Sequence, residues 1–270
     1  MSFYPVFNIL DAEGFVNLAN FPPNTWEIKP SGAKNIYAFW ADGDQWISKS
    51  VGQLAEGHFK EFKISDIRIN NSPQLINGVY TSDLVLLQLR QDVLHGSMAT
   101  LPEDRSKSTV WPEWRASIGF RRNDCQVSYQ GEIIATPEKA TLLTFHPFIQ
   151  YDDAENFLVF VNIENSPLYR WSNLFILNGS TGENITTLKV RNNAVNVIPL
   201  DLYGFRPSEL PVFYCDSMAG IPFGFAKSKS TAMLSLEHTH PPASLTLFGN
   251  RFKAQKYIKS EWSKLAKREK

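Results

Sequence analysis

The most pointed chemistry in the chain is offered by Leu234-Ser-Leu-Glu-His-Thr-His-Pro-Pro242. In an extended backbone alternate side chains share a face, so His238 and His240 point the same way and Glu237 points the other. Two imidazoles at that spacing can share a divalent metal such as zinc, iron or manganese. A complete site needs more donors, and residues 241–249 contain no acidic residue. His146, His95 or a distant Asp would have to finish the set. The competing reading is structural: a stiff His-Pro-Pro loop whose imidazoles cap backbone groups or line a pocket.

A metal held this way would make the chain a cupin-like, metal-dependent enzyme acting on a small polar substrate. A second cluster, Arg115, Arg121, Arg122, Tyr129, Gln130 and Glu132, offers binding rather than catalysis. On neighbouring strands Arg115, Gln130 and Glu132 could hydrogen-bond a sugar or another polar ligand, with Tyr129 supplying a flat apolar face. The same residues equally suit a solvated sheet edge with Arg–Glu pairs. The G-x-S-x-G elbow, the phosphate loop, the dinucleotide fingerprint and H-E-x-x-H are all missing from the sequence, so no catalytic set is nominated.

The elements that must position these groups read as strands. Short apolar runs broken by Gly, Pro, Asn and Asp turns indicate antiparallel sandwiches rather than alternating strands and helices. The runs also recur. Val16-Asn-Leu-Ala-Asn-Phe-Pro-Pro-Asn-Thr-Trp26 and Val161-Asn-Ile-Glu-Asn-Ser-Pro-Leu-Tyr-Arg-Trp171 share V-N-[LI]-x-N-x-P-x-x-x-W. Neighbouring segments follow in the same order: Asn35–Phe39 matches Asn173–Leu177, and the turns Ala41–Asp44 and Gly179–Gly182 follow as hairpins. Trp46–Val51 and Phe59–Ile64 match Ile185–Val190 and Val195–Leu200. Gly78–Asp83 with Leu84–Leu89 then matches Val212–Asp216 with Ile221–Phe225. This order implies an internal duplication. Tyr37, Phe39, Phe175 and Leu177 are expected to enter the cores, with Trp26 and Trp171 as equivalent packing anchors.

The fold class expected is therefore all-β, two tandem antiparallel sandwich-like domains with a C-terminal amphipathic helix. Residues 1–92 form the first domain, the polar, proline-broken stretch 93–112 the linker, and 113–250 the second domain, with 113–133 as extra strands. Residues 251–270 carry eight basic and two acidic residues, so a local +6 is balanced by −6 on the rest. In that tail Phe252, Ile258, Trp262 and Leu265 recur at helical spacing. Such a helix can dock on its own domain, pair with another subunit or lie on an anionic membrane. One basic tail without a recognition motif does not indicate specific nucleic-acid binding. Cys125 and Cys215 match no metal or redox spacing and read as reduced thiols. With no secretory signal pattern at Met1–Phe15, a cytoplasmic location is expected.

The layout of each half, notably strand, Asn178-Gly-Ser-Thr-Gly182 turn, strand, then the Tyr214–Gly220 turn and a further strand, resembles the sensory-rhodopsin-transducer type of small β-sandwich module. That resemblance implies an oligomeric, non-enzymatic role with small-ligand or sugar binding; it carries no residue assignments, since fold likeness does not fix function. The expectation is a self-associating, non-enzymatic ligand-binding or scaffold protein, possessing no obligatory cofactor, with the metal enzyme using His238 and His240 as the alternative.

Overall fold

The computed structural model describes residues 3–20, 32–67, 72–102, 115–130, 142–145, 152–204 and 211–238, with 257, 260–261 and 264–266 of the tail. The first part of the chain runs β1 (Tyr4–Val6), β2 (Glu13–Asn20), β3 (Lys34–Asp42), β4 (Gln45–Leu54), β5 (His58–Lys63), α1 (Ile64–Ile67), β6 (Gln74–Ile76), β7 (Val79–Asp83), β8 (Val85–Arg90), β9 (Ser97–Met98), β10 (Arg115–Arg122) and β11 (Cys125–Gln130). The second runs β12 (Leu142–Phe145), β13 (Ala154–Asn162), β14 (Trp171–Asn178), β15 (Asn184–Arg191), β16 (Ala194–Pro199), a 3-10 turn at Leu200–Tyr203, β17 (Pro211–Cys215), β18 (Ile221–Ser228) and β19 (Leu234–His238).

These elements form two compact units. Unit 1 packs a sheet of order β1-β8-β3-β4-β9 against one of order β11-β10-β2-β5. Val16, Leu18 and Ile118 of one sheet share a core with Ile36, Ala38 and Leu87 of the other. Unit 2 packs β12-β17-β14-β15 against β19-β18-β13-β16-β7-β6. Its core joins Leu158, Phe160 and Ile198 to Leu174, Ile176 and Phe213. β8 and β13, which read as nearly continuous apolar runs, are buried on both faces, whereas β4 is buried only at Trp46 and Leu54 and is otherwise exposed or half-buried.

Leaving aside β6, β7 and β9, each unit contains eight strands among the described residues, and their order is the same. In chain order, strands one, six, three and four, laid out as 1-6-3-4, make one sheet, and 8-7-2-5 make the other. α1 and the 3-10 turn both follow the fifth strand. The two expected hairpins form, β3 with β4 and β14 with β15.

Several expectations are corrected. β10 and β11 are not extra strands of the second domain: β10 pairs with β2, Ile118 opposite Val16, in unit 1. They occupy the seventh and eighth positions, the counterparts of β18 and β19, and were unrecognised because their partner lies about a hundred residues earlier in the chain. By sheet position β8 matches β17, while Gln74–Ser82 belongs to unit 2, with β7 beside β16. Asn165–Leu168 belongs in turn to unit 1. The boundaries 1–92 and 113–250 therefore do not describe the units.

The edge chemistry explains where the β6–β7 hairpin goes. β16 reads Ala-Val-Asn-Val-Ile-Pro and is buried almost throughout, so it needs a neighbour on each side. Its counterpart β5 reads His-Phe-Lys-Glu-Phe-Lys, a charged strand suited to a solvated edge.

The shared V-N-[LI]-x-N motif is also out of step with the strands. Asn20 faces His58, the first residue of β5, and Asn162 faces Ala194, the first residue of β16. Pairing thus matches Asn20 with Asn162, three positions from the sequence match, and an odd offset exchanges the two faces of a strand. Trp171 is not a packing anchor: it opens β14 and is 43% exposed. Trp26 lies outside the described residues. Among the described residues of unit 1 the fully buried indole is Trp46, whose Nε1 donates to the Asn165 carbonyl at 2.8 Å.

Asn35–Phe39 and Asn173–Leu177 do match strand for strand, but Ile36, Ala38, Leu174 and Ile176 enter the shared cores. Tyr37, Phe39, Phe175 and Leu177 face the other side of their sheet. There Leu177 and Phe175 join Val212, Tyr214 and Ala266 in a separate cluster. The described tail residues are helical, and Leu265 touches the Gly182 turn. Among the described residues no helix is long and apolar enough to cross a membrane.

Candidate functional site

The sequence-nominated residues are dispersed. His238 closes β19 opposite Phe223; His240 lies outside the described residues, as do His146 and Glu132. Among the described residues no group of three or more His, Cys, Asp or Glu is arranged to hold a metal ion. Arg115 opens β10 opposite Ala19, and Gln130 closes β11 opposite Ser117. Tyr129, opposite Ile118, packs its ring against the unit 1 core, and burial pushes its phenol pKa upward. Arg121 is engaged by Glu61 at 3.2 Å and lies over the Phe15 ring, and Arg122 pairs with Asp11 at 2.9 Å. These cations behave as a paired sheet surface.

Polar side chains converge instead at one end of unit 2, where four connections meet. β13 ends at Asn162 and leads to Glu164; Arg170 precedes β14; Asn192 and Asn193 turn β15 into β16; Ser217 lies between β17 and β18. Asn suits this turn because Asn193 adopts a left-handed φ of 48°. Glu164 is buried and Arg170 only partly so. The Arg170 guanidinium grips both Glu164 oxygens, Nε at 2.9 Å and Nη2 as the second contact. It also donates to Ser172 Oγ at 3.0 Å and the Ser217 carbonyl at 2.6 Å. Asn192 Nδ2 donates to the same carboxylate at 2.9 Å, while its Oδ1 accepts from Arg170 N at 2.7 Å. Asn193 Oδ1 accepts from Glu164 N at 2.8 Å.

Two further contacts close the frame. Asn162 Nδ2 donates to the Ala219 carbonyl. The chain beside it passes so close to β13 that a Cβ on Gly220 would stand 2.1 Å from the Val161 carbonyl oxygen. Glycine is therefore required there on space alone. A bidentate, buried Arg–carboxylate pair with its remaining donors satisfied fixes orientation more than it adds stability. What it orients is the start of β14.

That start carries the exposed surface. Ser172 and Leu174 are buried, so Trp171 and Asn173 alternate onto the outer face. Across the ladder Trp171 faces Arg191 and Asn173 faces Lys189. The Arg191 guanidinium stands over the Tyr169 ring at 4.4 Å, a cation–π contact that holds both. The result is a two-by-two patch of Trp171, Asn173, Lys189 and Arg191, with Tyr169 at its rim. A flat indole offers a stacking surface, and the amide and cations beside it offer hydrogen bonds and positive charge.

The patch was missed in sequence because Trp171 read as a core anchor and Glu164, Arg170 and Asn192-Asn193 read as turn residues. The available signal was the polar density of Asn162–Arg170 followed by a second Asn pair just after a strand. Compared with known proteins, the chain matches no family model, no curated protein and no solved structure. Fold and site together describe two β-sandwich-like units, one of which carries an exposed aromatic and cationic patch.

Proposed function

We propose that the chain is a non-enzymatic recognition protein built from two copies of one eight-stranded module, and that unit 2 binds a small polyhydroxylated or acidic ring, a sugar-like ligand, on the Trp171 face. The observation that carries this reading is a solvent-facing indole on a rigid strand, flanked by Asn173, Lys189 and Arg191 and set in place by the Glu164–Arg170 pair. Sugar rings present an apolar C–H face that stacks on an indole, while their hydroxyls or carboxylates take hydrogen bonds from neighbouring amides and cations. The repeated strand order supports the two-copy reading. Ala266 packed on Val212 and Tyr214 supports a C-terminal helix that docks on its own unit. Two free thiols, Cys125 and Cys215, suit a reducing compartment such as the cytoplasm.

An array of neutral and acidic glycans probed with the full chain and with Trp171→Ala tests the reading. Binding to at least one glycan, reduced about tenfold or more by the substitution, is expected for a stacking aromatic at the centre of a site. No bound glycan, or binding that Trp171→Ala leaves unchanged, overturns it.

A further inference from the structure

The repeated topology allows sheet edges to be compared position by position. In unit 1 the edge strand β4 is closed by β9, Trp46 pairing with Met98 and Ile47 with Ser97. In unit 2 the apolar edge of β16 is closed by the β7–β6 hairpin. β15 holds the same place as β4, yet among the described residues its sheet ends there. An open edge presents a row of unpaired backbone donors and acceptors, and protected edges usually carry proline, charged side chains such as lysine, inward-pointing charge or a bulge.

β15 has outward charge at Lys189 and Arg191 and one irregularity, but neither proline nor inward-pointing charge. It reads Asn-Ile-Thr-Thr-Leu-Lys-Val-Arg, rich in β-branched residues and free of proline. Its inward residues, Leu188 and Val190, belong to the core. Its cations point outward from the core, and Lys189 is exposed. The single irregularity is where the pairing with β14 skips Ile185, at the hairpin end, which leaves Thr186–Val190 straight; beyond it the Arg191 backbone is bonded to the Asn196 side chain. By contrast β5, which ends its sheet among the described residues, carries Lys60, Glu61 and Lys63.

We infer that β15 pairs antiparallel with β15 of a second copy of this chain, joining the β12-β17-β14-β15 sheets of two molecules into one continuous sheet. The register follows from the side chains. A two-fold axis through Leu188, normal to the sheet, sets Thr187 opposite Lys189 and Thr186 opposite Val190, keeping outward residues with outward and inward with inward. An axis through Lys189 opposes like charges, and one through Thr187 brings the irregular Ile185 into the ladder. Only the Leu188 register uses the straight stretch without a charge clash. This is an isologous contact that closes as a dimer.

Sedimentation velocity on the full chain across a concentration series, with Thr187→Lys and Thr187→Glu alongside, tests the inference. Thr187 is exposed, so both substitutions are tolerated by the fold. The wild type is expected to show a reversible dimer. Thr187→Lys, placed opposite Lys189 of the second copy, weakens it about fivefold, and Thr187→Glu tightens it by a similar factor. The difference between them shrinks in high salt. A particle that stays monomeric at every concentration overturns the inference, as do variants that shift the dimer in the same direction or not at all. Glycan binding at Trp171 is scored separately, so either proposal can fail while the other stands.

Discussion

Glu164→Ala is the perturbation whose cost the structure defines most closely. The carboxylate is 2% exposed and accepts from Arg170 Nε, Arg170 Nη2 and Asn192 Nδ2. Removing one member of a buried ion pair costs about 3–5 kcal/mol, because the survivor is left charged and unpaired. Here the survivor, Arg170, has a side chain 30% exposed. Its charge regains water, and the expected loss falls to about 2–3 kcal/mol. Arg170→Met strands the buried carboxylate instead and is expected to cost the full 3–5 kcal/mol or so. The double variant Glu164→Ala with Arg170→Met leaves no orphan charge and costs much less than the sum, a coupling of about 1.5–3 kcal/mol. Urea unfolding followed by circular dichroism closes the cycle. Additive effects, within about 0.5 kcal/mol, would refute the reasoning.

Other outcomes follow from single contacts. Gly220→Ala forces a methyl against the Val161 carbonyl and is expected to lower stability by about 1–3 kcal/mol, read as a falling urea midpoint. Trp46→Phe removes the donor to Asn165 and leaves space in a fully buried site, so the thermal midpoint should drop by an amount equivalent to about 1–3 kcal/mol. Asp153 is held below the ordinary carboxylate range first by the Ser228 hydroxyl and then by Ser230. Its stabilising contribution is therefore present above the ordinary carboxylate pKa and lost as pH falls through the lowered folded value. In Ser228→Ala the Asp153 midpoint, followed by NMR, should rise toward the ordinary value of 3.8; an unmoved midpoint contradicts the hydrogen-bond assignment.

Much of the local structure is written in short-range pattern. Asn35–Phe39 and Asn173–Leu177, each followed by a polar turn and a second strand, are legible as hairpins because both partners and the turn lie within a few residues. Strand order is not, since β10 finds β2 and β7 finds β16 only through long-range pairing. One long-range fact was nonetheless readable: the apolar β16 demands a second neighbour, whereas the charged β5 does not. The V-N-[LI]-x-N match misleads about register because both units use Asn at a strand end. Pairing aligns Asn20 with Asn162, and a three-residue slip still gives similar letters. For the site, tryptophan in a β-rich chain reads as core by default. Only the alternation with buried Ser172 and Leu174 puts Trp171 outside. His238 and Tyr129 stand out by residue type, and type alone does not show that the Tyr129 ring packs against the unit 1 core.

The central claim, that unit 2 recognises a ring on its outer sheet face, is tested most directly by calorimetric titration of the strongest glycan from the array into the wild type, Trp171→Phe and Trp171→Ala. Affinity should fall in that order, about tenfold or more for alanine, with phenylalanine retaining part of the stacking. Equal affinities for all three proteins would contradict it.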